Sequence, residues 1–454
     1  MFRKKTMDFP VDRFGAIGDG LTNCTAAIQA ALDAAAEAGG GRVVFWEGVY
    51  MSGAIYIPSN VELHIAEGAV LQAIVDDDAY PLIWTRVAGI EMHWPSALIN
   101  VLDQQNVAVS GKGIVDGQGE YWWDRYWGQD KLGGMRKDYT ARGLRWAVDY
   151  DCRRPRLLLA SNCSDVRIAD LTFVRSPFWN VHICYSDQVV VSGLRIVRSG
   201  GPSTDGIDID SSSNVLVEHC DIDCNDDNIC VKAGRDADGL RVGRPSEHIR
   251  IQHCKLGRGA GVTLGSETSG GIRYVHISDI EMTGTENGFR LKSARTRGGV
   301  IEHITVRNIT MTDVLRPFSF LLNWHPSYSY ASIPDDFEGE VPEHWRVMAE
   351  PVLPPERGIP EFRDIDISDI TANSRFAAED GRRSKAFEVE AYEEKAIRDI
   401  RFARIELSVN EPGFIAHAAD WTMEQAVIRL TEPAELRTDN CRNVQLPTIE
   451  VIES

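Results

Sequence analysis

A short strand-like pattern recurs along most of this chain, and it limits the folds that the chain can adopt. Segments of eight residues that alternate apolar and polar positions begin at residues 166, 189, 215, 249, 275, 304, 365 and 400. The closest copies start 23 and 26 residues apart, and insertions into the same unit account for the longer intervals. Short period-two strands that repeat at this interval predict a parallel β-helix, an all-β solenoid in which each coil adds strands to stacked parallel sheets.

Two other all-β folds are alternatives to this prediction. A β-sandwich would need tight hairpin turns such as Asn-Gly between successive strands, and the sequence has few of them. A β-propeller would need a more uniform blade length. Because a solenoid grows by adding coils, its length does not have to be divided into domains of ordinary size. We therefore predict a single domain over residues 1–454.

The beginning of the chain differs from the repeat. Residues 22–38 are rich in Ala, place apolar side chains at helical spacing and end at consecutive glycines, which predicts a helix. Thr22 or Asn23 is its expected N-cap. We expect this helix to cover the open end of the solenoid, within an N-terminal cap and first coils at residues 8–75.

Two long stretches interrupt the repeat, at residues 117–156 and 324–362. The first is rich in Trp, Tyr and Arg, and the second is rich in Pro, acidic and aromatic residues. Both are too long to be plain turns, so we predict loop insertions near an active-site groove, because long loops on a rigid scaffold commonly carry function.

Charge and cysteine usage restrict the partners and the compartment. The formal net charge of −19 argues against binding to nucleic acid or to an anionic membrane. The N-terminus has no apolar stretch behind its basic residues, and the nine Cys include no CxxC pair, which predicts a cytoplasmic protein, or a secreted one if a leader has been removed. One local basic cluster is either a solvated face or a surface for an anionic substrate: Arg136, Lys137, Arg142, Arg145, Arg153, Arg154 and Arg156.

Carboxylates cluster at one point of the repeat. Asp226 and Asp227 are adjacent, and Asp205 lies 21 residues before Asp226, which is close to one coil. Since residues one coil apart occupy neighbouring strands at about 4.8 Å, we expect the three side chains to share one surface. At least one pKa must then rise, which suits general acid and base catalysis. Asp residues that stabilise turns and Asp residues that bind calcium are equal alternatives on this evidence.

Other charged residues near this cluster have separate interpretations. Arg290 and Lys292 are two residues apart, so they face the same side of one strand, about 10–15 Å beyond the carboxylates at the same strand spacing. They form either a site for a substrate carboxylate or a pair of surface cations. Four acidic residues are interpreted as turn residues: Asp208, Asp210, Asp221 and Asp223.

Four motifs resemble, in order and spacing, those of glycoside hydrolase family 28, the polygalacturonases. They are STDGIDI, NDDNICVK, GAGVTLGSE and RLKS, and with the N-terminal segment the resemblance spans roughly residues 8–410. It implies a right-handed parallel β-helix and a glycosidase that hydrolyses α-linked galacturonic-acid oligosaccharides by an inverting mechanism, with no metal or other cofactor. The GSETSGG and RLKSARTRGG details and the aromatic insertion after GQG are most similar to bacterial exo-acting members.

The resemblance also implies a role for each matched residue. Asp226 would be the general acid, and Asp205 and Asp227 would position and activate the water. Contacts with the substrate would come from Arg290, Lys292, Trp179 and His182.

Two positions depart from the family pattern. Ser203 replaces the Asn of the first motif, and Ala260 stands where the family has a His that helps to set the protonation state of the acid. We expect a uronic acid near the cleaved bond, with the linkage and the neighbouring sugar open. The alternatives are a rhamnogalacturonan-oligosaccharide hydrolase of the same family, a calcium-dependent polysaccharide lyase and a non-catalytic carbohydrate-binding β-helix. Three residues are candidates to replace the missing His in space: His248, His253 and His276.

Overall fold

The computed structural model describes residues 7–452. The predictions for the domain at 1–454 and for the N-terminus include residues 1–6 and 453–454, which lie outside the described residues. The described strands form a short parallel sheet, a long parallel sheet and one antiparallel hairpin.

The short sheet takes one strand from each coil. Within residues 7–452 its twelve strands are Ile55–Tyr56, Ile99–Leu102, Leu158–Ser161, Val181–Cys184, Ile207–Asp210, Ile229–Lys232, Val262–Leu264, Asn287–Lys292, Arg316–Leu321, Lys385–Glu390, Glu411–Ala416 and Arg437–Asp439.

The long sheet takes two strands from most early coils, and these merge into one long strand in later coils. Its strands in the described chain are Asp8–Pro10, Asp19–Asn23, Gly41–Phe45, Gly48–Ser52, Val61–Ile65, Ala69–Ala73, Gln105–Gly111, Ile114–Asp116, Ser164–Ala169, Thr172–Val174, Asp187–Ser192, Arg195–Ser199, Ser213–Glu218, Asp221–Cys224, Ser246–Gln252, Lys255–Leu256, Ile272–Thr283, Val300–Thr312, Glu361–Ser374, Ile397–Val409, Ala418–Leu430, Arg442–Val444 and Thr448–Val451.

Each strand pairs in parallel with the strands one coil before and one coil after it. Ile207–Asp210 pairs with Val181–Cys184 on one side and with Ile229–Lys232 on the other, in unbroken register. This stacking satisfies the backbone hydrogen bonds of every internal strand. The predicted right-handed parallel β-helix is confirmed.

The core lies inside the coils, because successive side chains of a strand point to opposite faces. Ile229 and Val231 belong to the central apolar cluster, whereas Cys230 and Lys232 between and after them do not. Cys220 also belongs to this cluster and is 1% exposed, as expected for a small apolar core residue.

The helices lie outside this stack. The α-helices of the described chain are Thr25–Glu37, Glu120–Trp127, Gly134–Ala141, Val148–Asp151, Asp236–Val242, Pro326–Ser329 and Glu343–Ala349, and the 3₁₀ helices are Val11–Phe14, Asp77–Ala79, Pro355–Gly358 and Ala378–Asp380. In residues 7–452, none of the helices has the length and apolar character required to cross a membrane.

The first helix covers the core, as the sequence predicts. Ile28 and Leu32 of Thr25–Glu37 are fully buried in the central cluster. The expected N-cap residue is one position away from its place in the structure. Cys24 holds the N-cap position, while the Asn23 carboxamide oxygen accepts a hydrogen bond from the Thr25 N–H at 3.0 Å.

A hairpin that the sequence analysis did not predict lies against the outer face of the short sheet. Its strands are Leu82–Val87 and Ile90–Pro95, and they pair antiparallel. The stretch at 117–156 contains three short helices rather than plain loops. Apolar side chains of the hairpin and of both inserted stretches form a second core together with Phe178, which precedes the strand Val181–Cys184. This core also includes Ile90, Trp94, Trp146, Trp345 and Met348.

Candidate active site

The coil register brings the three predicted carboxylates together. Asp205 and Asp227 each stand two residues before paired strands, and the Gly206 N–H donates to the Asp227 carbonyl at 2.9 Å. Carboxylate oxygens of Asp205, Asp226 and Asp227 lie within 4.8 Å of one another. Gly206 permits this approach, because a Cβ there would lie 2.3 Å from the Asn228 carbonyl oxygen. The predicted shared surface is present.

Asp227 is fully buried and is held by three donors. Lys292 Nζ lies 2.6 Å from Asp227 Oδ2, Arg290 Nη1 lies 3.5 Å from Oδ1, and the Thr263 hydroxyl donates to Oδ1 at 2.7 Å. The expected separation of 10–15 Å between these cations and the carboxylates is therefore wrong. Their strand is two coils away, but long side chains reach back along the sheet to the charge.

Lys232 is a site residue that sequence reasoning missed. Its Nζ lies 3.7 Å from Asp205 Oδ2, 3.5 Å from Asp208 Oδ1 and 3.4 Å from Glu267 Oε2, and the side chain is 4% exposed. The signal was present in NDDNICVK, since Lys232 follows Cys230 by two residues and shares its outward face. The sequence does not reveal its role, because its acidic partners Asp205, Asp208 and Glu267 come from other coils.

The interpretation of the four other Asp residues as turn residues is wrong. Asp208 and Asp210 lie within a strand of the short sheet, are fully buried and face outward beneath the hairpin. Arg86 of the hairpin reaches Asp210 at 3.1 Å. Asp221 and Asp223 lie within the strand Asp221–Cys224 of the long sheet.

The pKa values of the carboxyl pair that borders the pocket both rise. Burial raises the pKa of Asp205 well above its ordinary value of 3.8, and the nearby Asp208 and Asp226 add to the increase. Burial also raises the pKa of Asp226, and the negative charge of Asp227 adds to it. The sequence required at least one raised pKa among the three residues, and the structure gives two.

Asp227 behaves in the opposite way. Burial opposes its ionisation, but the charges of Lys292 and Arg290 outweigh burial and hold the pKa of Asp227 below its ordinary value. A carboxylate that favours ionisation therefore stands beside two carboxyls that favour the proton. The negative charge of Asp227 raises the pKa of Asp226, which is the direction of effect that a general acid needs.

At the position of the absent His, Ala260 contacts Asp226 through its backbone N–H group. Ala260 is buried, and its N–H donates to the Asp226 carbonyl at 2.9 Å. The three histidines suggested as replacements do not approach the pocket, because their positions lie on or beside strands at the outer face of the long sheet: His248, His253 and His276.

The two predicted ring contacts have different positions. Trp179 borders the pocket, stacks on Phe178 with ring centres 5.0 Å apart, and lies 5.0 Å from Lys232 Nζ. His182 is fully buried behind this wall, with its ring 4.9 Å from that of Trp179 and its Nδ1 2.7 Å from Arg156. Burial lowers the pKa of His182 to about 4, so a neutral ring supports Trp179 and does not face the substrate space.

Both inserted stretches contribute walls to the pocket. Arg145 and Asp149 come from residues 117–156, and Trp324 and Tyr328 come from residues 324–362. Asp205, Asp226, Lys232 and Lys292 form the floor, and Asp227 lies beneath it. The result is a walled pocket with carboxyls, cations and aromatic rings around one space.

The carboxyl triplet could in principle bind a hard cation. Three oxygen donors within 4.8 Å suit calcium. However, Lys292 already occupies one oxygen of Asp227, and Lys232 lies 3.7 Å from Asp205. A divalent cation would have to enter a site that two ammonium groups already neutralise, so the donor set fits acid and base chemistry better than metal binding.

A parallel β-helix with paired carboxyls in a walled pocket is suited to a carbohydrate-active enzyme that works by acid and base catalysis. Sequence comparison then gives the family. The model of "Glycosyl hydrolases family 28" matches residues 85–323. The chain belongs to this family, and the resemblance inferred from the four motifs is confirmed.

Individual relatives agree with this assignment. The chain is 33% identical over 376 residues to a "Probable polygalacturonase" of Vitis vinifera, covering 80% of this chain and 69% of that protein. It is 28% identical over 313 residues to an "Endo-polygalacturonase" of Pectobacterium carotovorum subsp. carotovorum, covering 65% and 71%. An exopolygalacturonase structure from Thermotoga maritima matches with a TM-score of 0.73 and 26% identity, covering 97% of this chain and 93% of that one.

Proposed function

We propose that this enzyme removes galacturonic acid from the non-reducing end of α-linked pectic oligosaccharides. The observation that carries the proposal is the walled pocket in which Asp205 and Asp226 face one space beside the ionised Asp227. A charged pocket of this kind fits an anionic sugar, although the whole protein has a net charge of −19.

The pocket geometry supports a division of labour among the carboxyls. Asp226 would donate its proton to the leaving oxygen, since its pKa is raised and it is partly exposed. Asp205 borders the same space and would accept the proton of the attacking water. Because burial raises the pKa of Asp205 as well, and Lys232 at 3.7 Å offsets only part of that rise, the two carboxyls would share one proton in the active enzyme. Asp227 is 0% exposed, so its charge would act through Asp226 rather than by contact with the sugar.

Inversion at the cleaved carbon is part of the proposal. Oxygens of the three carboxyls lie within 4.8 Å of one another, which is closer to the roughly 5–5.5 Å of retaining enzymes than to the roughly 6.5–9.5 Å of inverting ones. The proposal of inversion therefore rests on the family resemblance and not on this spacing. Proton NMR of the sugar as it is released tests this point: inversion of an α-linkage gives the β-anomer first, and initial α-anomer would contradict it.

The walls support an exo mode of action. Trp324 and Tyr328 on one inserted stretch and Arg145 on the other narrow the site to a pocket, where an endo-acting enzyme needs a groove open at both ends. The similarity to an exopolygalacturonase structure supports the same proposal. A cytoplasmic location, where the substrate would be short imported oligosaccharides, is also proposed.

One set of digestions distinguishes this function from its alternatives. Oligogalacturonides and rhamnogalacturonan oligosaccharides of defined length, labelled at the reducing end, are incubated with the enzyme with and without a chelator. Saturated monosaccharide that appears in both conditions, with a ladder of labelled products shortened by one unit, is the expected result. Unsaturated product that requires metal would indicate a lyase. Cleavage of the rhamnogalacturonan oligosaccharides alone would indicate a rhamnogalacturonan hydrolase of the same family. Binding without turnover would indicate a carbohydrate-binding protein.

A further inference from the structure

Three cations of the pocket are occupied by carboxylates of the β-helix itself. Lys292 and Arg290 contact Asp227, and Lys232 contacts Asp205, Asp208 and Glu267. Their side chains are 5%, 11% and 4% exposed, respectively. A substrate carboxylate would have to compete with these internal partners for each of the three.

Arg145 is more exposed than these three cations. Its side chain is 21% exposed and borders the pocket. Nη1 lies 2.5 Å from Asp149 Oδ2, while the other oxygen of Asp149 faces Arg154 Nη2 at 3.7 Å and accepts from the Tyr126 hydroxyl at 2.9 Å. Asp149 therefore contacts Arg145 through Nη1 and is shared with a second guanidinium group.

The orientation of Arg145 is fixed by its surroundings. Its guanidinium carbon lies 5.4 Å from the ring centre of Tyr328, and Asp149 holds one end of the guanidinium. A planar guanidinium that is held at one end can present its other N–H groups as a fork to a carboxylate. Arg145 is thus preorganised as an anion-binding group between two inserted stretches.

Ser203 connects this wall to the first motif of the active site. The Ser203 hydroxyl lies 3.4 Å from Asp149 Oδ1 and 3.4 Å from Arg154 Nη2. It stands where the family resemblance places an Asn. Ser203 therefore contacts the same carboxylate that holds Arg145.

We propose that Arg145 is a specificity-determining residue that binds the carboxylate of the terminal uronic acid in the pocket. The inference rests on the proposed function, because it concerns the sugar that enters the same pocket.

The test compares two substrates that differ in one group. One is trigalacturonate, and the other is the same trisaccharide with the terminal carboxylate reduced to a primary alcohol. Arg145→Gln should raise KM for trigalacturonate about 10–100-fold, with kcat changed by less than about threefold, because loss of a charged hydrogen bond costs on the order of 1.5–3 kcal/mol. The kinetics with the reduced substrate should change little, and Arg145→Lys should recover part of the preference.

Arg142→Gln is the matched control. Arg142 lies in the same inserted stretch, is exposed and carries the same charge, so its replacement should leave the ratio of the two substrates unchanged. Thermal unfolding of each variant checks the fold. An equal fall in kcat/KM for both substrates in Arg145→Gln would overturn the proposal, because that result indicates a structural role.

A separate measurement distinguishes this proposal from the proposed function. Calorimetric binding of trigalacturonate is measured in Asp226→Asn and in the double variant with Arg145→Gln, both of which bind without turnover. Weaker binding in the double variant supports Arg145 as the carboxylate contact even if the wild-type enzyme does not hydrolyse the substrate. Equal binding in the two variants would contradict it, whatever the activity of the wild type.

Discussion

The outer faces of the two parallel sheets carry ion pairs of opposite character. On the short sheet, Lys292 and Asp227 lie under the inserted stretches with side chains 5% and 0% exposed. On the long sheet, Lys255 and Glu281 form a pair at 3.5 Å with side chains 70% and 68% exposed. The strands have the same spacing in both sheets. The difference between the two ion pairs therefore comes from burial by the hairpin and the inserted stretches and not from backbone geometry.

The cover explains why chemistry is confined to the short sheet. Solvent and salt screen an exposed pair, which usually contributes little to stability. Beneath the hairpin and the inserted stretches, burial raises the pKa of Asp226 while Lys292 and Arg290 hold down the pKa of Asp227. The pKa values of two carboxyls that are adjacent in sequence thus shift in opposite directions.

Asp226→Asn should have the largest effect of the changes considered on the covered face. The amide keeps the size of the side chain but has no proton to donate to the leaving oxygen, so kcat should fall by about 10²–10⁴-fold. Release of galacturonic acid from trigalacturonate measures this loss, and a circular dichroism spectrum like that of the wild type is the control. Full activity would remove Asp226 from the catalytic assignment.

Lys292→Met should destabilise the protein strongly. It leaves the buried Asp227 carboxylate without its partner at 2.6 Å, and breaking a buried pair costs about 3–5 kcal/mol. The free energy of unfolding in guanidinium at neutral pH measures the cost. The double variant Lys292→Met with Asp227→Asn should recover much of it, and a loss below about 1 kcal/mol in the single variant would show that the charge is not effectively buried.

The pH profile of kcat/KM should be bell-shaped, and its acidic limb should lie above pH 3.8. One carboxyl of the pair must be protonated and the other ionised, and the pKa values of both Asp226 and Asp205 lie above 3.8. Activity should therefore rise only above pH 3.8, as the pair loses its first proton, and decline as the pair loses its second, with a slope of about tenfold per pH unit on each side. A profile that is already flat below pH 3.8 would contradict the raised pKa values of the pair.

Lys255→Gln should have the smallest effect. Both members of this pair are mostly exposed, so the free energy of unfolding should change by less than about 1 kcal/mol and activity should be unchanged. The same denaturation experiment as for Lys292→Met measures it. A decrease in the free energy of unfolding as large as that of Lys292→Met would show that the exposed and the buried ion pairs contribute equally to stability.

The sequence predicts those features that depend on the repeat. The offset of 21 residues between Asp205 and Asp226 gave their proximity correctly, because a solenoid converts a separation of one coil into neighbouring strands. The same reasoning placed Arg290 and Lys292 on the correct face. Their distance was wrong because it followed the backbone and ignored the reach of long side chains.

Features of the cover were missed because no repeat specifies them. The hydrogen bond from Arg86 to Asp210 joins residues 124 positions apart, and within residues 7–452 the hairpin that carries Arg86 has no counterpart in other coils. From the sequence alone, Asp208 and Asp210 were therefore interpreted as turn residues, and Lys232 was not recognised as a site residue. Burial of polar side chains by an irregular segment is a tertiary effect that local patterns do not encode.

The position of the catalytic strands within the stack has a consequence for how the protein withstands stress. The carboxylates and their cations lie on or beside four successive strands of the short sheet, from Ile207–Asp210 to Asn287–Lys292, with four strands before them and four after them in the described chain. Solenoids fray from their ends, because a terminal coil has a neighbour on one side only. The central coils are thus the last to open, and the outer coils can yield to heat or force while the active site keeps its shape.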